Sequence, residues 1–159
     1  MNYTLREIED AIVDQLRAGR LDNLFPEIKI DGYYGEITPA LVDQVAMGHS
    51  VCLVTFGGER YSDPTAGHED FDVQATYTVI MAHKDLRSRE RTVRGENVQN
   101  PGLYDMAYEV RRCLAGNNLN LDIDPLAPDR LEVFEISEKI SIFLFDFVFS
   151  HDYDRSTEN

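Results

Sequence analysis

The sequence predicts an α+β domain: a mainly antiparallel sheet of about four strands, with two or three helices packed on one face. Three observations lead there. Leu5, Ile8, Ile12 and Leu16 recur at helical spacing, and Leu103, Met106, Ala107, Val110, Cys113 and Leu114 repeat that pattern. Phe71, Val73, Ala75, Tyr77, Val79 and Met81 alternate with Asp72, Gln74, Thr76 and Thr78, the period of a strand with one wet face. The run from Lys139 to Ser150 is apolar at both parities: Phe143, Phe145, Phe147 and Phe149 share one face, and Ile140, Ile142, Leu144 and Val148 most of the other. A strand of a small antiparallel sheet has one polar face as a rule, so this one needs a cover on both sides.

In chain order, Thr4 and Glu7 form a capping box ahead of the first helix, and Gly19 ends it. The acids Glu7, Glu9, Asp10 and Asp14 fall largely off the apolar stripe, as a solvated face near a helix N-terminus does. Ile28 to Gly32 is a short strand candidate. Thr38-Pro39 opens a short helix through Leu41, Val42 and Val45 that Gly48 stops. Val51 to Phe56 is a compact strand closed by Gly57-Gly58, and Glu59 to Asp70 reads as a loop. Pro101 opens the second long helix, and Gly116-Asn117 stops it. Asn118 to Arg130 reads as an extended, proline-broken connector. Leu131 to Ile136 is a strand joined to the last one through Ser137-Glu138. Residues 1–151 make one domain, with 152–159 a polar tail.

Among the 159 residues, 43% are hydrophobic and 28% charged, which is ordinary for a globular domain. The net charge of -14 argues against general binding to nucleic acid or an anionic membrane, because phosphates would be repelled. It fits a soluble protein, a partner of a basic surface, or a mimic of DNA. Cys52 and Cys113 have no metal-ligand spacing and read as buried thiols of a reducing compartment. The first residues lack a signal-peptide segment, and no apolar run reaches the ~20 residues of a membrane span, which points to the cytoplasm.

Chemistry is sparse. His68, Glu69, Asp70 and Asp72 are the right residue types for a metal, in a spacing that matches neither a zinc nor an EF-hand pattern. Asp122 and Asp124 share one side of an extended segment, but Pro125 follows at once and favours a turn. A metal-dependent hydrolase would draw on His68, Asp70 and Asp124. His49, His83 and His151 sit in no nucleophile motif, and GxSxG is absent. No catalytic, cofactor or metal site is assigned.

Between Lys84 and Arg94 the charge reverses: Lys84, Arg87, Arg89, Arg91 and Arg94 face only Asp85 and Glu90, a local +3. Such an island suits a DNA contact, a socket for the acidic surface of a neighbouring copy, or a solvated arm. No aromatic is interleaved for base stacking, which favours the socket over DNA.

Leu119 to Leu126, with its Leu-Asp-Ile-Asp-Pro-Leu core, follows a helix ending Arg111 to Gly116 and precedes an aromatic last strand. Together with the Arg6 to Ile12 helix and the strand leading into Asp85-Leu86-Arg87, this resembles the Mu-type bacteriophage tail proteins encoded beside the tail-sheath gene. The resemblance spans nearly the whole chain in the same order. It implies a small α+β domain without catalytic residues or cofactor, assembled in the host cytoplasm and carried in the virion tail. The role it implies is tail terminator: a ring, hexameric by analogy, that caps tube and sheath and later meets the head's connector. A closing ring needs two different complementary patches on each copy. Lys84, Arg87, Arg89, Arg91 and Arg94 are the expected basic half, and Glu9, Asp10 and Asp14 the acidic half. Ile140, Ile142 and Leu144 are expected to meet a subunit or the tube, while the Phe143–Phe149 face packs under the helices. The competing reading is an acidic DNA-mimic inhibitor seated in a basic groove of a host protein.

Overall fold

The computed structural model describes residues 3–35, 50–61, 70–137 and 140–154. The helix expected after Thr38-Pro39 and residues 62–69 of the expected loop lie outside them. Helix α1 (Leu5–Arg17) begins as its sequence dictates: Thr4 Oγ1 accepts the Glu7 N–H, and the Glu7 carboxylate accepts the Thr4 N–H at 2.7 Å. Ile8, Ile12, Val13 and Leu16 face inward. A turn carries the chain into the short α2 (Leu21–Leu24) and then into β1 (Lys29–Gly32). Gly19 sits in that turn because nothing larger fits: a β-carbon there would lie 2.5 Å from Cys113 Sγ.

The sheet has five strands in the order β1-β2-β3-β5-β4, comprising β2 (Val51–Tyr61), β3 (Asp70–His83), β4 (Ala127–Ile136) and β5 (Ser141–Asp154). It is mixed, since β1 runs parallel to β2 and every other pairing is antiparallel. Gly57-Gly58 does not close β2. The register slips between Phe56 and Gly58, and the strand continues to Tyr61 with Glu59 on the same face as Phe56. Gly58 takes φ +114°, a conformation glycine alone enters without strain, so the glycine pair makes a bulge instead of an end. β5 likewise runs past the expected boundary, and residues 152–154 are strand paired to β3 where a tail was expected.

Helix α3 (Arg89–Arg94) is capped by Ser88, and α4 (Leu103–Leu114) buries Leu103, Met106, Ala107, Val110, Cys113 and Leu114, the stripe read from the sequence. The connector after α4 is folded, not extended. Leu119 and Asn120 both take φ 58°, and the Asn117 and Asn118 side chains accept the N–H groups of Leu119 and Asn120. Asparagine offers the backbone this local partner, which tightens the turn and buries Leu119, Ile123 and Leu126.

The four helices among the described residues serve one face. The main core joins α1 and α4 to Cys52, Val54, Val79, Met81 and the four phenylalanines of β5, each at most 4% exposed. At ~1.5–3 kcal/mol per large side chain, that aromatic row contributes up to ~6–12 kcal/mol. A second cluster, Val51, Leu53, Ile80, Ala82, Ile140 and Ile142, lies on the opposite face with Tyr33 and Leu144 against it. Ile140 and Ile142 are 1% and 0% exposed within the single chain. The last strand therefore finds both of its covers in its own subunit over that stretch, and of the three residues expected at a contact only Leu144 keeps surface.

Glu109 pins α4 to the α1–α2 turn. Its carboxylate, buried on the flank of α4, accepts the Arg20 N–H at 2.9 Å and two bonds from the Arg112 guanidinium at 2.6 and 2.9 Å. The Arg112 hydrogen bond, ahead of the Arg20 amide and against the cost of burial, holds its carboxyl near 2.

Candidate assembly surface

The helix layer does not reach the far edge of the sheet. α1 packs chiefly over β1 and β2, and α4 over β3 and β5, so among the described residues no helix packs substantially over β4. Leu131 pairs with Phe145, Val133 with Phe143 and Ile136 with Ser141, which puts all three on the helix side of the sheet. They are 48%, 57% and 44% exposed, whereas the phenylalanines beside them are covered. Tyr104 of α4, largely exposed, borders this strip, its ring 6.1 Å from that of Phe143, and Tyr108, also largely exposed, follows one helical turn on. One turn on, the Arg111 guanidinium lies 5.5 Å above the Tyr108 ring. The result is an apolar ledge with an aromatic wall and a cation at its end.

The opposite face of β4 is polar. Arg130, Glu132 and Glu135 pair in register with Asp146, Leu144 and Ile142. Phe134 falls in the register slip between Val133 and Glu135, and a second slip separates Pro128 from Arg130. Bulges, a proline and charges blunt an edge strand against ladder pairing, so β4 offers its face more readily than its backbone.

The expected basic half is largely committed inside the chain. Arg87 donates to Asp85 at 2.6 and 2.9 Å and lies 3.5 Å from Glu96, Arg91 reaches Glu96, and Arg94 lies 3.7 Å from Glu90. The Arg87 hydrogen bond holds the Asp85 carboxyl at about 2. Thr92, buried, accepts the Asp85 N–H, so this network fixes the link from β3 to α3. Arg89 is exposed and Lys84 half-buried. Of the acidic half, Asp10 and Asp14 point outward from α1, while Glu9 accepts a hydrogen bond from the Tyr34 hydroxyl and raises its pKa.

The structure also brings together residues that the sequence left apart. Asp122 and Asp124 meet Asp72 and Asp152 around a small cleft with Ser150 and His151. Across the other end of the sheet, Ser50 Oγ lies 2.7 Å from His83 Nδ1. Burial lowers the His83 pKa, and the Phe25 ring stands edge-on to it. That pair is a cross-strand neighbour of the Val51–Ala82 register and could be foreseen only from the pairing. For the metal reading, His68 lies outside the described residues, and among the described residues no group of three or more His, Cys, Asp or Glu side chains is placed so that it could hold a metal ion.

The family described as Bacteriophage Mu, Gp37 matches residues 4–152, from the cap of α1 into the end of β5. The chain belongs to that family. No curated protein matches it. Among solved structures, a chain from the virion of a native gene transfer agent particle superposes with a TM-score of 0.57. The two are 13% identical, over 96% of this chain and all of that one, so the likeness concerns the fold.

Proposed function

We propose that the protein is a non-enzymatic structural component of a phage tail, acting as the tail terminator. In this role copies close into a ring, hexameric by resemblance, on the end of the tube and sheath, and that ring later receives the head's connector. The observation that carries the reading is the family match over residues 4–152, which takes in every element described but the last two residues of β5. The uncovered ledge beside β4 supports it, because a part that works only in assembly must keep apolar surface available on the single copy. The test is mass by native mass spectrometry and light scattering across salt concentrations, with electron microscopy of tail tubes mixed with the protein. Rings, in isolation or on tube ends, are expected. A monomer at every salt concentration that also leaves tubes uncapped would sink the proposal.

The acidic-mimic reading retains one supporting observation, the cleft where Asp72, Asp122, Asp124 and Asp152 gather. Pull-down of a host nuclease or polymerase, lost in moderate salt and lost again in an Asp122→Asn, Asp124→Asn variant, would favour it.

A further inference from the structure

The ledge and the opposite end of the domain differ in both shape and charge. On the ledge side, residues 84–115, which hold α3 and α4, carry seven cations against five anions, net +2. Glu132 and Glu135 of β4 do not offset this on the ledge, because they lie on the other face of the strand, while Asp129 falls in the slip near its start. At the far end of the sheet, residues 5–32, which hold α1, α2 and β1, carry four cations against seven anions, net -3. There Asp10 and Asp14 stand one helical turn apart on the exposed side of α1, with no ion pair among the described residues, and the Tyr34 ring is 84% exposed nearby, tied to Glu9.

We infer that the ledge of Leu131, Val133, Ile136, Tyr104 and Tyr108 receives the α1–β1 end of a second copy of this chain, with Arg111 facing the partner's Asp10 and Asp14. The inference rests on the proposed ring and names the surfaces that would build it. Two different ends meet, so the contact is head-to-tail and can close. The apolar ledge supplies the buried area. The charge difference supplies orientation, since turning one copy round would bring two acidic ends together in a protein of net charge -14. The contact is face-on and not a continued sheet, in keeping with the bulged β4 and with the backbone of β1, whose Ile30 carbonyl is already held by Arg17. A different tail protein on the ledge is the competing occupant, and the test separates the two.

The experiment mixes a Val133→Cys chain with an Asp14→Cys chain at low salt, where exposed charges are least screened, and adds a short bismaleimide. The native Cys52 and Cys113 are buried. Cross-linked heterodimer in the mixture, with neither variant cross-linking alone, is the expected result. Homodimer from Val133→Cys alone would mean symmetric docking and overturn the head-to-tail arrangement. No cross-link while wild-type rings form would assign the ledge to another protein and leave the ring standing; no cross-link and no ring would remove both. Charge variants of the exposed Val133 give a second measurement, with circular dichroism confirming the fold. Val133→Glu, facing acids, is expected to weaken self-association at least tenfold, and Val133→Lys much less. Equal losses from the two would overturn the acidic end as the occupant.

Discussion

The two edges of the sheet are finished in opposite ways. At the β1 edge the strand is four residues long, α1 lies over it, and two of its outward backbone groups are bonded by its own chain. Arg17 donates to the Ile30 carbonyl at 2.7 and 3.1 Å, and the Asp31 carboxylate accepts the Gly32 N–H at 2.9 Å. At the β4 edge the strand is ten residues long, no helix among the described residues packs substantially over it, and Leu131, Val133 and Ile136 remain about half exposed. One edge is closed by the monomer. The other keeps apolar area in water, a cost that burial against another copy would recover.

That contrast can be broken from the covered side first. Phe147 is 1% exposed and packs against Phe145 with ring centroids 4.5 Å apart. Phe147→Ala is expected to lower unfolding free energy by ~3–5 kcal/mol in denaturant titration, through lost burial and a residual cavity. Val133→Ala, one strand over, should change it by no more than ~0.5 kcal/mol. Comparable costs at the two sites would mean that the ledge is covered in the monomer after all.

Opening the closed edge is the next largest effect. Arg17→Ala removes both bonds to the Ile30 carbonyl together with the 3.9 Å pair to Asp31. A loss of ~1–2 kcal/mol is expected, with faster amide exchange in β1 and unchanged exchange in β5, read by hydrogen exchange. Uniform exchange changes would show that Arg17 does not act on that edge in particular.

The attachment of α4, which forms the wall of the ledge, responds to acid. The Glu109 carboxyl is held near 2 in the fold against an ordinary 4.5. Its contribution is therefore complete above about pH 4.5 and lost as the pH falls toward 2, ~1–2 kcal/mol once screening around the half-exposed Arg112 is allowed for. Glu109→Gln should flatten the stability–pH curve in that window and leave its alkaline side unchanged.

The smallest effect concerns the basic segment. Arg87→Ala is expected to cost ~0.5–1 kcal/mol and to loosen residues 85–100, because Arg87 joins Asp85, Glu96 and Asn100. If it left that loop unchanged and abolished assembly instead, the segment would regain the role of basic socket.

Much of the covered side was legible in the sequence. The capping box at Thr4, the helical stripes of α1 and α4, and the alternation of β3 are local patterns, and local backbone preferences enforce them. The phenylalanine row was rightly placed under the helices, because a continuous aromatic face is the costliest to leave wet. The open side was not legible. Leu131, Val133 and Ile136 carry the same residue types as a buried strand, and nothing in their order shows that the helix layer stops one strand short. Ile140 and Ile142 misled for the complementary reason, since a second apolar face does not reveal whether its cover comes from the same chain. The glycine pair of β2 read as a stop, because a bulge and a strand end use the same residue.

The sequence by itself determined the two long helices and the central parts of the strands, which face of each is apolar, and that the charge is strongly negative, since these follow from side-chain order and chemistry alone. The tertiary structure alone decided that β1 joins in parallel, that Ile140 and Ile142 are covered within the chain, and that β4 falls outside the layer of described helices. Those outcomes depend on which distant segments meet, and the free energy that selects them belongs to the packed whole and to no single stretch of chain.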